Sequence, residues 1–227
     1  MRPGRSGLTL PASPCPPTAA ESGPAVTPWT TLDPTAASKV DGSGVEEAAP
    51  VADEGTVYTF TLDTTNVVID PAAMLRYQAT VDLDWTAFTV VEIELDAPEH
   101  DAKDVVGAFL AADGGLEAGI WLGVSRESGS VYDNWIRSTD VNVPNVGGPA
   151  GPLKIRAALV CNGDGRIHGS IEVYDRATGA WLARWDHDVN DAGLTGSTAV
   201  IGVCLGRRSL AGETGHQVKA GVRYRLH

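Results

Sequence analysis

Glu92, Glu94 and Asp96 alternate with apolar residues in the run VEIELD, residues 91–96. In an extended strand every second side chain points the same way, so the three carboxylates share one face. Two carboxylates flanking a glycosidic bond can hydrolyse it, one as acid or base and the other as nucleophile or base. Residues i and i+4 of a strand lie ~13 Å apart along the backbone. A retaining pair needs ~5–5.5 Å between carboxyls. Long side chains can lean together, and the shorter Asp96 makes that harder. The plainer reading is a solvated acidic face, made of Glu92, Glu94 and Asp96 and continued by Asp82 and Asp84 on the preceding strand.

A second chemistry is stacking. Trp181 and Trp185 flank Ala183 at period two, so a regular strand puts both rings on one face. Exposed, they form a platform for sugar rings; buried, they are core. Tyr132 and Trp135 fall on opposite faces of their strand, which leaves one of them outward. These four aromatics are the candidate glycan-binding residues. His168 and His187 sit on strands with no paired nucleophile, and RESGS lacks the G-x-S-x-G elbow. GVCLGRR is not followed by the Lys-Ser/Thr of a phosphate loop. NGDGR and ADGG read as turns, with loop ligation of Ca²⁺ as the alternative. Cys15, Cys161 and Cys204 are far apart and form no metal-binding spacing. Cys161 and Cys204 lie in apolar runs and read as buried thiols, with a bridge between them as the alternative. No catalytic residue, metal or cofactor is assigned.

The elements that carry these residues are strands. Alternating runs separated by Gly, Asp and Asn predict eleven of them: 56–63, 77–84, 88–96, 105–112, 117–124, 131–137, 153–161, 166–175, 180–186, 198–205 and 217–226. No convincing helix appears among them, which predicts an all-β sandwich or barrel. The alternation also assigns faces. Leu153, Ile155, Ala157, Leu159 and Cys161 point inward, and Lys154 and Arg156 outward. Likewise Val218, Ala220, Val222, Tyr224 and Leu226 are inward, with Lys219, Arg223 and Arg225 outward.

Residues 1–54 read differently. Nine of the 14 prolines fall in residues 1–50, among Ala, Ser, Thr and Gly. Such a segment buries too little apolar surface to offset its ordering entropy. The expected domains are therefore an extended arm, 1–54, anchored by Trp29 and Leu32, and a β-sandwich, 55–227. Charge is divided too. Residues 1–152 hold 7 basic and 22 acidic residues, and residues 153–227 hold 10 basic and 7 acidic. The net −12 argues against nucleic acid as a partner, and the division suggests a charged face that meets something. No apolar run reaches the ~20 residues of a membrane span. The start of the chain lacks the ~7–15 apolar residues of a signal peptide.

GIWLGV, then LKIRAALVCNGDGRIHGSIEVYDRATGAWLARWDHDV, then a final strand resemble the laminin-G-like branch of the concanavalin A-like jelly rolls. The resemblance covers about residues 56–227. It implies a two-sheet antiparallel jelly-roll sandwich, mostly a binding fold, often for glycans, with some glycosidases. VEIELD is similar to the E-x-D-x-E signature of the glucanase branch, with Glu94 at the Asp position and Asp96 at the second Glu position. A leaderless jelly roll with a low-complexity arm suits an assembly in which the arm lies across neighbours. The expectation is a non-enzymatic virion structural protein of a bacteriophage, either a capsid decoration protein or a tail or fibre component. Its expected partners are other virion proteins, copies of itself and host surface glycans, with neither nucleic acid nor membrane insertion. The alternatives are a stand-alone carbohydrate-binding module and a glycoside hydrolase using Glu92 and Asp96.

Overall fold

The computed structural model describes residues 27–41, 45–64, 74–98, 104–114, 118–126, 132–138, 142–147, 152–164, 166–190, 194–207 and 213–227. They form fifteen strands: β1 (Thr30–Thr31), β2 (Ser38–Val40), β3 (Val45–Ala52), β4 (Tyr58–Thr64), β5 (Leu75–Asp82), β6 (Phe88–Ala97), β7 (Asp104–Ala111), β8 (Gly119–Arg126), β9 (Tyr132–Ser138), β10 (Asn142–Gly147), β11 (Leu153–Asn162), β12 (Arg166–Asp175), β13 (Trp181–Asn190), β14 (Thr198–Arg207) and β15 (Glu213–Leu226). All pairings are antiparallel. An eight-stranded sheet runs β13-β12-β11-β6-β15-β4-β3, with β1 added against β15. A seven-stranded sheet runs β10-β9-β8-β7-β14-β5-β2. The chain is an all-β, two-sheet antiparallel jelly-roll sandwich.

The core follows from alternation. β11 reads buried, half-buried, buried through Leu153, Ile155, Ala157, Leu159 and Cys161. The same parity puts Val91, Ile93 and Leu95 of β6 and Ile201, Val203 and Leu205 of β14 into one cluster with it. A second cluster, with Met74, Phe109, Trp121 and Cys204, lies on the opposite face of the seven-stranded sheet and is also buried. Cys161 and Cys204 are free thiols in different clusters, so no bridge joins them. Burial pushes the Cys161 thiol up to about 11 and the Cys204 thiol up to about 12.

Part of the segment expected as an arm pairs with the sandwich. β1, β2 and β3 lie within residues 27–54, and Leu32 is buried in the main core. The physical reason is the length of β15. β4 pairs with its first half, Glu213–Ala220, and β1 takes the second half at Arg223 and Tyr224. The amide of Leu32 then donates to the carbonyl of Val222 at 2.9 Å. Asp33 closes the following turn by accepting from the amide and hydroxyl of Thr35, which holds its carboxyl below the ordinary value. Residues 1–26 lie outside the described residues.

Candidate functional site

The outward face of the eight-stranded sheet is built in rows by its register. The first row runs Trp181, Tyr174, Lys154, Asp96 and Gly221 across β13, β12, β11, β6 and β15. The next runs position 184, then Glu172, Arg156, Glu94, Arg223 and Thr31. The third holds Asp186, Ser170, Ala158, Glu92 and Arg225. β6, the acidic strand, is thus flanked by two basic ones, and cross-strand pairs of opposite charge meet directly.

Each carboxylate is engaged. Glu94 accepts from Arg156 Nη2 at 2.7 Å and from Arg223 Nη2 at 2.8 Å, with Lys154 Nζ at 3.6 Å. Burial raises the Glu94 carboxyl, but the hydrogen bonds from Arg223 and Arg156 outweigh it and hold the group below its ordinary value. Asp96 accepts from Arg176 Nε at 2.6 Å, and Lys154 lies 3.6 Å away on its other side. Arg176 is aimed there by the β12–β13 turn, where Asp175 accepts from the amide and hydroxyl of Thr178 and Gly179 takes a φ of 69°. Glu92 accepts from Arg225 Nε and bonds His227 Nε2 at 2.8 Å; the Arg225 bond leads in lowering its carboxyl.

Trp29 lies over this network. Its ring centroid is 4.6 Å from the guanidinium of Arg225, 4.7 Å from that of Arg223 and 5.8 Å from that of Arg156. Arg156 also stands 5.4 Å from the ring of Tyr174, whose hydroxyl donates to Glu172 at 2.6 Å. At the sheet's edge Trp181 is 59% exposed. Trp181 at the edge and Trp29 over the arginines thus stand on one face, with Tyr174, Lys154 and Arg156 in the rows between them.

Several expected placements change. The register of β13 shifts by one residue after Trp181: Trp181 pairs with outward Tyr174, whereas position 183 pairs with Val173 and position 185 with core residue Ile171. One extra residue at a bulge inverts the alternation. Asp82 and Asp84 do not continue the acidic face. Asp82 ends β5 in the other sheet, and Asp84 accepts from the amide and hydroxyl of Thr86 in a turn. Glu92, Glu94 and Asp96 do share a face, as an ion-paired layer instead of a solvated one. The register sets Trp135 beside Gly123 and Tyr132 beside Arg126. The side chains of Tyr132, Trp135 and Trp185 lie outside the described residues. Asp164 of NGDGR accepts from the amide of Arg166, as a turn residue does. Among the described residues no three metal-ligating side chains converge, and no helix is long and apolar enough to cross a membrane.

Sequence reasoning did not connect Lys154, Arg156, Arg176, Arg223, Arg225, His227 or Trp29 to the acidic strand. Outward placement of the basic residues on 153–161 and 217–226 was the available signal. The neighbours of β6 were the missing fact.

No protein-family model and no curated protein matches the chain. Several solved structures are similar to it at low identity. A lectin UEA-II complexed with galactose is 10% identical at TM-score 0.48, covering 88% of this chain and 98% of the lectin. A xylan β-1,4-xylosidase from Bacillus halodurans is 11% identical at TM-score 0.42 over 78% of this chain, which spans only 37% of that enzyme. A scytalido-glutamic peptidase is 15% identical at TM-score 0.38, covering 57% of this chain and 63% of the peptidase. The expectation of a non-enzymatic protein is corrected by this comparison. Enzymes stand beside lectins among the similar structures, and the architecture does not exclude catalysis.

Proposed function

We propose that the chain binds carbohydrate across the outward face of its eight-stranded sheet, between Trp181 and Trp29. The carrying observation is Trp181, exposed on the edge strand and paired in register with outward-facing Tyr174. A large aromatic at an open, polar sheet edge supplies stacking area with little loss of side-chain freedom. Lys154 and Arg156 add donors beside it, Arg156 fixed by Glu94, and the Tyr174 hydroxyl, which donates to Glu172, leaves an acceptor. Glu92 and Glu94 support a structural part in this reading. A carboxyl that serves as general acid near neutrality needs a raised pKa, and both are lowered. The virion role rested on a tether spanning residues 1–54. Within it, β1, β2 and β3 pair with the chain's own sheets and lend that tether no support.

The test is titration calorimetry of the protein and its Trp181→Ala variant against a panel of oligosaccharides. Wild type binds at least one. The variant loses about 2 kcal/mol or more, roughly thirtyfold, as a central aromatic contact does. Its melting temperature stays the same, since Trp181 is exposed. Equal binding by both proteins would mean that the ligand does not sit on this face.

A further inference from the structure

We infer that the ligand is an anionic saccharide, one whose sugar carries a carboxylate or a sulfate; this rests on the carbohydrate-binding reading. Charge on this face is layered by depth. Glu94 and Asp96 lie beneath, their side chains 3% and 8% exposed. Their partners lie above: Lys154, Arg156, Arg176 and Arg223 are 28–36% exposed. A molecule arriving at this face meets ammonium and guanidinium donors before the acids of β6 that hold them. Five cationic side chains, Arg225 included, face only three carboxylates on β6. Glu172 of β12 stands in the Arg156 row as a fourth carboxylate, so these rows keep a small positive excess against the net charge of −12 of the whole chain.

The donors also have capacity left. Lys154 sits 3.6 Å from each of two carboxylates, longer than a charge-assisted hydrogen bond of ~2.7–2.9 Å. Arg176 meets Asp96 through Nε, and a guanidinium has five donors in a fixed fork. The acids nearest these donors are already engaged. Glu172 already accepts from Tyr174, and Asp175 accepts from Thr178. Asp186 and Asp188 lie two and three rows further along the strands, ~13 Å or more from the Trp181 row. A sugar ring resting on Trp181 and Tyr174 would place a ring carboxylate or sulfate over Lys154, Arg156 and Arg176. Charge-assisted bonds to such a group favour it over a neutral sugar.

The test compares polygalacturonate, alginate and heparin with methyl-esterified pectin, xylan and galactomannan, by affinity electrophoresis and calorimetry at low and high salt. The acidic polymers bind, and methyl esterification of the galacturonate weakens binding roughly tenfold or more. Lys154→Gln weakens the acidic ligand by about the same factor and leaves the melting temperature unchanged, because Arg176 still holds Asp96. Equal binding of esterified and free galacturonate, or binding of neutral polymers alone, would overturn the anionic assignment while leaving carbohydrate binding in place. Binding of no polymer would overturn both.

Discussion

Glu94 is the residue on which the charged face depends. It is almost wholly buried and satisfied by Arg156 and Arg223, with Lys154 nearby. Replacing a buried, paired ion by a hole leaves its partners uncompensated. Glu94→Ala should therefore destabilise by about 3–5 kcal/mol in chemical denaturation, the range for breaking a buried pair. Its pH behaviour follows from the lowered carboxyl. A group lowered on folding contributes above its unfolded pKa, and the contribution is lost as pH falls through the folded value. The melting temperature of the protein should drop as pH is lowered from neutral through the carboxylate range, with Glu92 adding in the same direction. Glu94→Gln should flatten that drop; an unchanged profile would deny Glu94 its part. The thiols give a second residue-scale expectation. Cys161 and Cys204 are buried with raised pKa values. Mass-spectrometric mapping after brief alkylation at pH 8 should find both unmodified until denaturant is added.

At the scale of elements, β11 and β12 were legible because both their parity and their turn are local. Asn162–Gly163 sets the β11–β12 hairpin and the Asp175–Gly179 turn sets the β12–β13 hairpin, both from short-range signals, with Gly163 at a φ of 79°. β1, β2 and β3 were not legible. Their composition is that of a disordered segment, and the gain that orders them is long-range: Leu32 enters the core and Trp29 stacks on arginines of β11 and β15. Leu32→Ala should cost about 2–4 kcal/mol, as large-to-small core changes do. It should also speed hydrogen exchange at the Leu32 amide, which donates to Val222. An unchanged stability would mean that this segment does not pack on its own sandwich. β10 was missed for a related reason. NVPNVG carries a proline and a glycine that lower its strand propensity, yet it holds an edge position beside β9. The bulge in β13 was also invisible, since its extra residue is defined only against β12.

For the whole molecule, the charge division of the sequence acquires an internal meaning. The acids Glu92, Glu94 and Asp96 come from the acidic first part, and their cationic partners from the basic last part. Sheet order inserts β6 between β11 and β15 and brings the two together. Composition displayed the imbalance, and alternation displayed the outward faces. The pairing that turns both into one layered surface is a product of topology alone, which no local signal encodes. A glycan on this outward face is tested most directly by a backbone and indole N–H NMR titration with whichever oligosaccharide binds tightest. Shifts should concentrate at Trp181, Tyr174, Lys154 and the Trp29 indole. Shifts confined to the seven-stranded sheet, with these four unmoved, would contradict it.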